Sequence, residues 1–341
     1  MDLTTYRPLG RSGLLVSPLA LGTMTFGNTS WGSSVADAAA VFDAYTEAGG
    51  QFIDTANVYS GGRSEEIVGR LVAERGLRDR VVLATKYAFS SDPTNPNAGG
   101  NGRKNLTQSL DASLRRLGTD YVDVYWVHAY DGITPAEELA ESLAQVVRSG
   151  KARYVGLSNV PAWVAARVVS VAEMRGLPAP VALQEEYSLV ARRVEHESAP
   201  AAEALGLGLV PWSPLAGGFL TGKYSRDDRD AGRLSGANPF GDTKFTDANW
   251  DTLAVLRRVA EEVGASPAQT ALAWTLARPA VASVLIGART PEQLAGNVSS
   301  LGVTLTPEQV DALDAASEAS VAALSFTWAG LRSAVFGGAP V

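Results

Sequence analysis

Eight short apolar runs, each followed by a stretch of helical period, constrain the fold of this chain more than any other feature. The runs read as strands over 20–22, 51–55, 81–86, 122–128, 154–158, 182–185, 208–211 and 283–287. Most are continuously apolar, the pattern of parallel strands covered on both faces. Between them, segments 35–48, 65–74, 103–117, 135–148, 161–174, 199–205 and 267–276 carry apolar side chains at helical spacing. Ser64 and Ser266 read as N-caps, and Gly49, Gly76, Gly118, Gly150 and Gly176 as C-terminal stops. This alternation specifies an α/β fold, a (β/α)8 TIM barrel more naturally than an open doubly wound sheet, although alternation alone leaves the open sheet standing. A length of 341 residues would suggest two domains at ~150 residues each, but α/β barrels run well beyond that as one unit. One barrel domain over 1–341 is expected. Tyr6-Arg7-Pro8-Leu9, a Gly10/Gly13 turn and Leu14-Leu15-Val16 put an N-terminal β-hairpin at 6–16.

Composition narrows the chemistry. With no cysteine and two histidines, the chain has no disulfide, no thiolate metal site and no cysteine nucleophile, and little for a zinc site. A net charge of −7 gives no electrostatic reason to expect nucleic acid. The first seven residues lack a charged stretch followed by an apolar run, so no signal peptide is expected. The most apolar long stretch, 272–288, is interrupted by Arg278 and Pro279 and falls short of the ~20 residues that span a bilayer. A soluble cytoplasmic protein is the expectation.

Three segments fall outside the repeat: 87–102, 217–247, and a C-terminal tail over 319–341 containing Phe326, Trp328 and Phe336. Loops beyond ~12–15 residues in a compact domain are usually functional or disordered. Two of these follow the third and seventh strands, and with the tail they would sit over the C-terminal mouth, where barrel enzymes place their sites.

Ionisable residues at strand C-termini converge in space however distant they are in sequence. Asp54, Lys86 and His128 end strands two, three and four, and Tyr59 follows Asp54 in the next loop. Singly, each has an ordinary reading: a helix cap, a solvated charge, a core imidazole, a packing aromatic. Together on adjacent strands they equip a site to deliver a proton to a carbonyl. A tyrosine hydroxyl ionises near pH ~10, but an adjacent ammonium lowers that value; Asp54 would keep the lysine charged, and the imidazole could orient the carbonyl oxygen.

A hydride must then come from a cofactor. Gly206-Leu207-Gly208 lacks the third glycine of a dinucleotide fingerprint and precedes a strand. The run 217–223 matches the P-loop spacing, yet Tyr224 replaces the required hydroxyl residue. What remains is a glycine-rich run after a barrel strand with Lys223 beside it, able to receive a phosphate or to serve as a flexible loop.

At these residues the sequence resembles the aldo-keto reductase family, from the hairpin to about Ser300. The matching residues are Gly22-Thr23-Met24, Phe52-Ile53-Asp54-Thr55-Ala56 with Tyr59 and Gly61, Ala84-Thr85-Lys86, Leu114-Arg115-Arg116-Leu117-Gly118, Asp120-Tyr121-Val122-Asp123 and Val127-His128. Further matches are Gly156-Leu157-Ser158-Asn159, Gln184 with Tyr187-Ser188, Trp212-Ser213-Pro214-Leu215, and Ile286-Gly287-Ala288-Arg289 with Gln293 and Asn297. The run 212–224 and the Gly287/Arg289/Gln293/Asn297 pattern are most similar to the bacterial and potassium-channel β-subunit-like branches.

The resemblance implies an NADPH-dependent reductase of aldehydes or ketones, with Tyr59 as proton donor, Lys86 and Asp54 tuning it, and His128 orienting the carbonyl. It implies that Thr23 and Asp54 border the cofactor, that Ser158, Asn159 and Gln184 hold the nicotinamide carboxamide, and that Trp212 stacks on its ring. Ser213, Pro214, Leu215, Gly217 and Lys223, with Arg233 as a weaker contact, would hold the pyrophosphate. Gly287, Arg289, Gln293 and Asn297 would bind the adenosine end, and the Arg289 guanidinium favours NADPH over NADH. Gly296 departs from relatives that carry an adenine-contacting Glu there.

The expected partner is a small carbonyl substrate, with no metal, nucleic acid or membrane. Trp31, Tyr87, Phe89, Tyr130, Trp328 and Phe326 are candidates for the mouth. Two other readings compete: a nucleotide-sensing accessory subunit, and a metal-dependent barrel hydrolase, for which the remaining strand ends offer only Glu185 and Glu186.

Overall fold

Parallel strands cannot be joined by tight turns, so each pair needs a crossover, which a helix supplies. The computed structural model describes residues 1–28, 30–229, 234 and 243–318; Arg233 and the tail over 319–341 lie outside the described residues. The chain opens with the antiparallel hairpin of β1 (Arg7–Pro8) and β2 (Leu15–Val16). Strand and helix then alternate: β3 (Leu19–Gly22), α1 (Val35–Glu47), β4 (Phe52–Asp54), α2 (Arg63–Glu74), β5 (Val82–Tyr87), α3 (Arg103–Leu117), β6 (Val122–Val127), α4 (Ala136–Arg148), β7 (Ala152–Ser158), α5 (Ala162–Met174), β8 (Ala182–Gln184), α6 (Ser198–Leu205) and β9 (Gly208–Leu209). The chain continues through α7 (Asp247–Glu262), α8 (Pro267–Leu276), β10 (Val284–Ile286), α9 (Pro291–Val298) and α10 (Pro307–Ala316).

The eight strands from β3 to β10 form one parallel sheet in the order β10-β3-β4-β5-β6-β7-β8-β9. Its two ends meet: Leu209 bridges Val281 in parallel, and the N–H groups of Leu209, Ala282 and Leu285 donate to the carbonyls of Ala280, Leu209 and Pro211 at 2.8, 2.9 and 2.9 Å. These bonds close the (β/α)8 barrel expected from the alternation.

Side-chain parity divides the core in two. Ala20, Phe52, Val82, Ala84, Val124, Trp126, Ala182 and Val210 fill the barrel interior, with Leu9 and Val16 of the hairpin plugging its N-terminal end. Leu21, Ile53, Leu83, Tyr125, Val127, Leu157 and Leu183 face outward onto the helices. Because strand side chains alternate, the interior parity of 52, of 82 and 84, and of 124 and 126 carries on to 54, 86 and 128.

Among the described residues, three helices lie outside the segments whose period was read from the sequence: α7, α9 and α10. The last two begin on Thr290-Pro291-Glu292-Gln293 and Thr306-Pro307-Glu308-Gln309, whose threonine hydroxyls accept the N–H of Gln293 and Gln309 with Pro at the first helical positions. Ser266 caps α8 in the same way, as expected. Ser64 does not cap α2. Left-handed Ser60, Gly61 and Gly62 (φ 51°, 66° and 96°) deliver the chain into α2 earlier, with Gly62 as N-cap, and the Ser64 hydroxyl turns inward to the Thr23 carbonyl at 2.8 Å and the hydroxyls of Thr23 and Thr55 at 2.9 and 3.0 Å.

Candidate active site

Asp54 ends β4 and Lys86 lies near the end of β5, both on the interior parity and both buried. The Lys86 Nζ donates to Asp54 Oδ2, to the Thr55 carbonyl at 3.0 Å and to the Tyr59 hydroxyl at 3.2 Å. Asp54 Oδ1 accepts from Gln184 Nε2 at 3.2 Å across the barrel. Burial alone would pull the Lys86 ammonium down, but the Asp54 carboxylate, aided by Tyr59, more than offsets this and holds it above the ordinary lysine value.

Tyr59 opens a short turn, Tyr59–Gly62, fixed by the Ser60 hydroxyl donating to the Phe26 carbonyl at 3.0 Å. His128 follows β6, its ring edge-on to Tyr59 at 5.8 Å and to Phe89 at 4.7 Å between centroids. Its Nδ1 is buried without a hydrogen-bond partner. Burial first, and then the nearby Lys86, push the imidazole down to about 2, so it is neutral at any ordinary pH. The four residues read from the strand ends are therefore one cluster: a charged lysine on a tyrosine hydroxyl, a carboxylate behind it, and a neutral imidazole beside it.

A second set lines the same rim. Asn159, at a left-handed φ of 51°, donates from Nδ2 to the His128 carbonyl at 2.8 Å and to Ser158 Oγ at 3.0 Å, and its Oδ1 accepts from Trp212 Nε1 at 3.0 Å. Nothing in the sequence announced this cross-link between the ends of β6, β7 and β9; it arises from barrel adjacency. The Thr23 hydroxyl is buried against the Asp54 carbonyl at 3.1 Å. Tyr87 is not a mouth residue: it is fully buried on the helix side, stacked on Tyr125 with its hydroxyl 3.3 Å from the Asn101 carbonyl. Phe89 is exposed at the mouth, and Tyr130 packs edge-on against exposed Trp163.

The segment after β9 is wound in a way few sequences tolerate. Ser213, Ala216, Gly217, Gly218 and Gly222 have φ of 54°, 50°, 68°, 97° and 78°, and alternating handedness of this kind turns successive N–H groups toward one concavity suited to an anion. The Gly217 N–H donates to Ser213 Oγ at 3.2 Å, and Leu215 precedes the turn Ala216–Thr221. Pro214 is buried. A Cβ on Gly218 would stand 3.2 Å from Lys223 Nζ, so the lysine lies over the glycine cradle. On neighbouring β10 the chain passes Gly287, beside which a side chain would find open space. Arg289 is exposed and has no carboxylate partner among the described residues; its N–H donates to Gln293 Oε1 at 2.9 Å. Asn297 Nδ2 donates to the Gly287 carbonyl at 3.2 Å. Two anion-suited cations, Lys223 and Arg289, thus flank a strained glycine-rich turn on adjacent strands, next to the Tyr59 cluster. Among the described residues no group of three or more His, Cys, Asp or Glu could hold a metal, and no helix is long and apolar enough to cross a membrane.

Comparison with known proteins adds the following. The family model described as "Aldo/keto reductase family" matches residues 18–318. A rice protein (Oryza sativa subsp. japonica) named as a probable voltage-gated potassium channel subunit beta is 40% identical over 320 residues, covering 91% of this chain and 95% of its own. A norsolorinic acid reductase of Emericella nidulans is 38% identical, covering 88% of this chain and 78% of its own. An aryl-alcohol dehydrogenase of Phanerodontia chrysosporium, named for NADP(+), is 33% identical over 89% of this chain and 83% of its own.

Proposed function

This chain belongs to the aldo/keto reductase family, and from that premise we propose that it is an NADPH-dependent reductase of aldehydes or ketones with Tyr59 as the general acid. One observation carries the reading: the Lys86 ammonium, paired with Asp54, lies 3.2 Å from the Tyr59 hydroxyl. An adjacent cation stabilises the phenolate and so makes the hydroxyl a usable proton donor near neutral pH. The neutral His128 imidazole, edge-on to Tyr59, is placed to orient a carbonyl oxygen by a hydrogen bond without competing for the proton.

The residues present fit a dinucleotide phosphate. The left-handed run from Ser213 to Gly222 offers backbone N–H groups to a pyrophosphate, with Lys223 adding charge. Arg289, exposed without a carboxylate partner among the described residues, suits the 2′-phosphate that distinguishes NADPH from NADH. Ser158, Asn159 and Gln184 would hold the carboxamide and Trp212 the ring face. Bound there, NADPH supplies the hydride; the protein's part is to hold the substrate carbonyl under Tyr59 and His128 and to deliver the proton from the Tyr59 hydroxyl. Cytoplasmic placement belongs to the same proposal, since a cysteine-free chain and a reduced nicotinamide both suit a reducing compartment. The test is NADPH oxidation followed by absorbance across a panel of aldehydes and ketones, with NADH in parallel; no oxidation with any member would defeat the reading.

The rice relative favours a second reading, a nucleotide-binding accessory subunit with little turnover. Good turnover by the purified chain alone on a carbonyl substrate would make it unnecessary.

A further inference from the structure

The sixth barrel strand ends on two carboxylates, and among the described residues only one has a cation. Glu186 pairs with Lys244 at 2.8 Å. Glu185, one residue past Gln184, continues the outward parity of Leu183 toward the turn that opens α5. Its Oε1 accepts the Val160 N–H at 3.3 Å. That turn lacks a cap of its own: Pro161 at the N-cap position makes no side-chain hydrogen bond, so the amide just before it relies on Glu185.

The turn holds Asn159 in its left-handed conformation, and Asn159 joins most of the rim. Besides the His128 carbonyl, Ser158 Oγ and Trp212 Nε1, it donates its own N–H to the Gln184 carbonyl at 3.2 Å and accepts the Tyr130 N–H at 3.3 Å. Displacing residues 159–160 by a fraction of an ångström would shift the Trp212 indole and the backbone that carries His128 together. We propose that Glu185 is a positioning residue for the nicotinamide end of the site, its carboxylate anchoring the 159–160 backbone and, through Asn159, setting the Trp212 indole. The inference rests on the NADPH reading above.

The surroundings of Glu185 suit this role better than one in packing alone. Burial pushes its carboxyl up to about 7, opposed by the N–H groups of Val160 and Asn159. No charged side chain enters that balance. On the segment that follows, Glu186 is held by Lys244 and Glu195 by Arg192 at 2.7 Å. Across the turn, residues 158–161 carry no titratable group, and neither does Trp212 on the strand-seven side. A half-buried carboxylate with no cation among the described residues is costly to keep, and the neighbouring outward position, Leu183, is apolar. An ionised Glu185 accepts the amide bonds strongly and a protonated one weakly, so the anchor should loosen as pH falls through about 7.

Two measurements test this. In the first, NADPH and 2′-phospho-AMP, which probes only the adenosine end, are titrated into the full chain and its Glu185→Gln and Glu185→Leu variants between pH 5.5 and 8.5. Measured relative to 2′-phospho-AMP, whose phosphate titrates at about 6 as that of NADPH does, the NADPH affinity of wild type should fall several-fold toward low pH, that of Glu185→Gln should stay level, and that of Glu185→Leu should be weak throughout, by about tenfold. Affinity for 2′-phospho-AMP should be the same in all three. Equal NADPH affinity and equal pH dependence in wild type and both variants would overturn the proposal. The second needs no cofactor: the Trp212 indole N–H resonance of the ligand-free protein should titrate with a midpoint near 7 in wild type and not in Glu185→Gln. A Trp212 signal indifferent to Glu185 defeats the positioning role. Wild type failing to bind NADPH while that signal titrates defeats the cofactor reading alone.

Discussion

Replacing Lys86 by methionine separates charge from bulk in the candidate active site, since methionine keeps the stem and removes the ammonium. The Lys86 and Asp54 side chains are 0% and 2% exposed. Asp54 would keep the Gln184 amide at 3.2 Å and lose its cation. Breaking a buried pair from one side typically costs about 3–5 kcal/mol. Protonation of Asp54 offers an escape, and its cost can be worked separately. From an ordinary carboxyl value of 3.8 to pH 7, at about 1.4 kcal/mol per pH unit, neutralising it costs about 4 kcal/mol. The two figures agree, so about 4 kcal/mol is expected at pH 7. The sign follows from linkage. Burial already lifts Asp54 above its ordinary value, against the pull of Lys86; without the lysine it rises further, so the folded variant binds the proton more tightly than folded wild type. Stability relative to wild type is then greatest below the unfolded value and is lost as pH rises through the folded one. The deficit of Lys86→Met should therefore widen by about 1.4 kcal/mol per unit between pH 5 and pH 7. In thermal melting that is a gap growing by on the order of 5 °C over two units. The double variant Asp54→Asn/Lys86→Met, which removes the stranded charge, should close most of it. A gap that is absent, or equal at pH 5 and pH 7, or unchanged in the double variant, would refute the account of a buried, charged pair.

Other expectations concern turnover, cofactor choice and packing. Tyr59→Phe should abolish carbonyl reduction while leaving NADPH binding intact, measured by nucleotide titration beside the absorbance assay; full turnover would remove Tyr59 from the acid role. Arg289→Ala should weaken NADPH by about 10- to 100-fold, the worth of charged hydrogen bonds, and leave NADH nearly unchanged; equal loss for both would mean the guanidinium does not read the 2′-phosphate. Because the His128 imidazole is pushed down to about 2, any limb near pH 7 in the NADPH affinity taken relative to 2′-phospho-AMP should survive His128→Gln and vanish in Glu185→Gln. A Cβ on Gly156 would fall 2.3 Å from the Trp126 ring inside the barrel. Gly156→Ala should cost about 1–3 kcal/mol by overpacking, and adding Trp126→Leu should recover part of it in the same melting assay.

The alternation of apolar runs with helical segments gave the barrel away because each element carries its own signal in its spacing. The tetrad was legible for the same reason, as strand ends converge at the mouth of any such barrel. Elements that announce themselves by caps rather than by period were harder to read. Both α9 and α10 begin with Thr-Pro-Glu-Gln, which names their starts, but their apolar faces are short. Ser64 shows the reverse case. Its position just inside a helical segment reads as a cap, yet three successive left-handed residues shift the helix start and leave its hydroxyl to bind Thr23 and Thr55.

Composition and order along the chain determined the architecture, the absence of thiol chemistry, and which ionisable residues reach the mouth, since these depend on period and on residue type. Contacts between strands distant in sequence were decided only by closure of the barrel. Gln184 donates to Asp54 from 130 residues away, Asn159 ties His128 to Trp212, and Glu185 is set against the turn before α5. None of these has a local signature, because a hydrogen bond across the mouth depends on side-chain parity, backbone handedness and neighbouring strand ends together. The state of each ionisable group was likewise a tertiary matter. Burial makes His128 neutral and lifts Glu185 to about 7, while Lys86, buried more deeply than either, stays charged because a carboxylate is buried beside it.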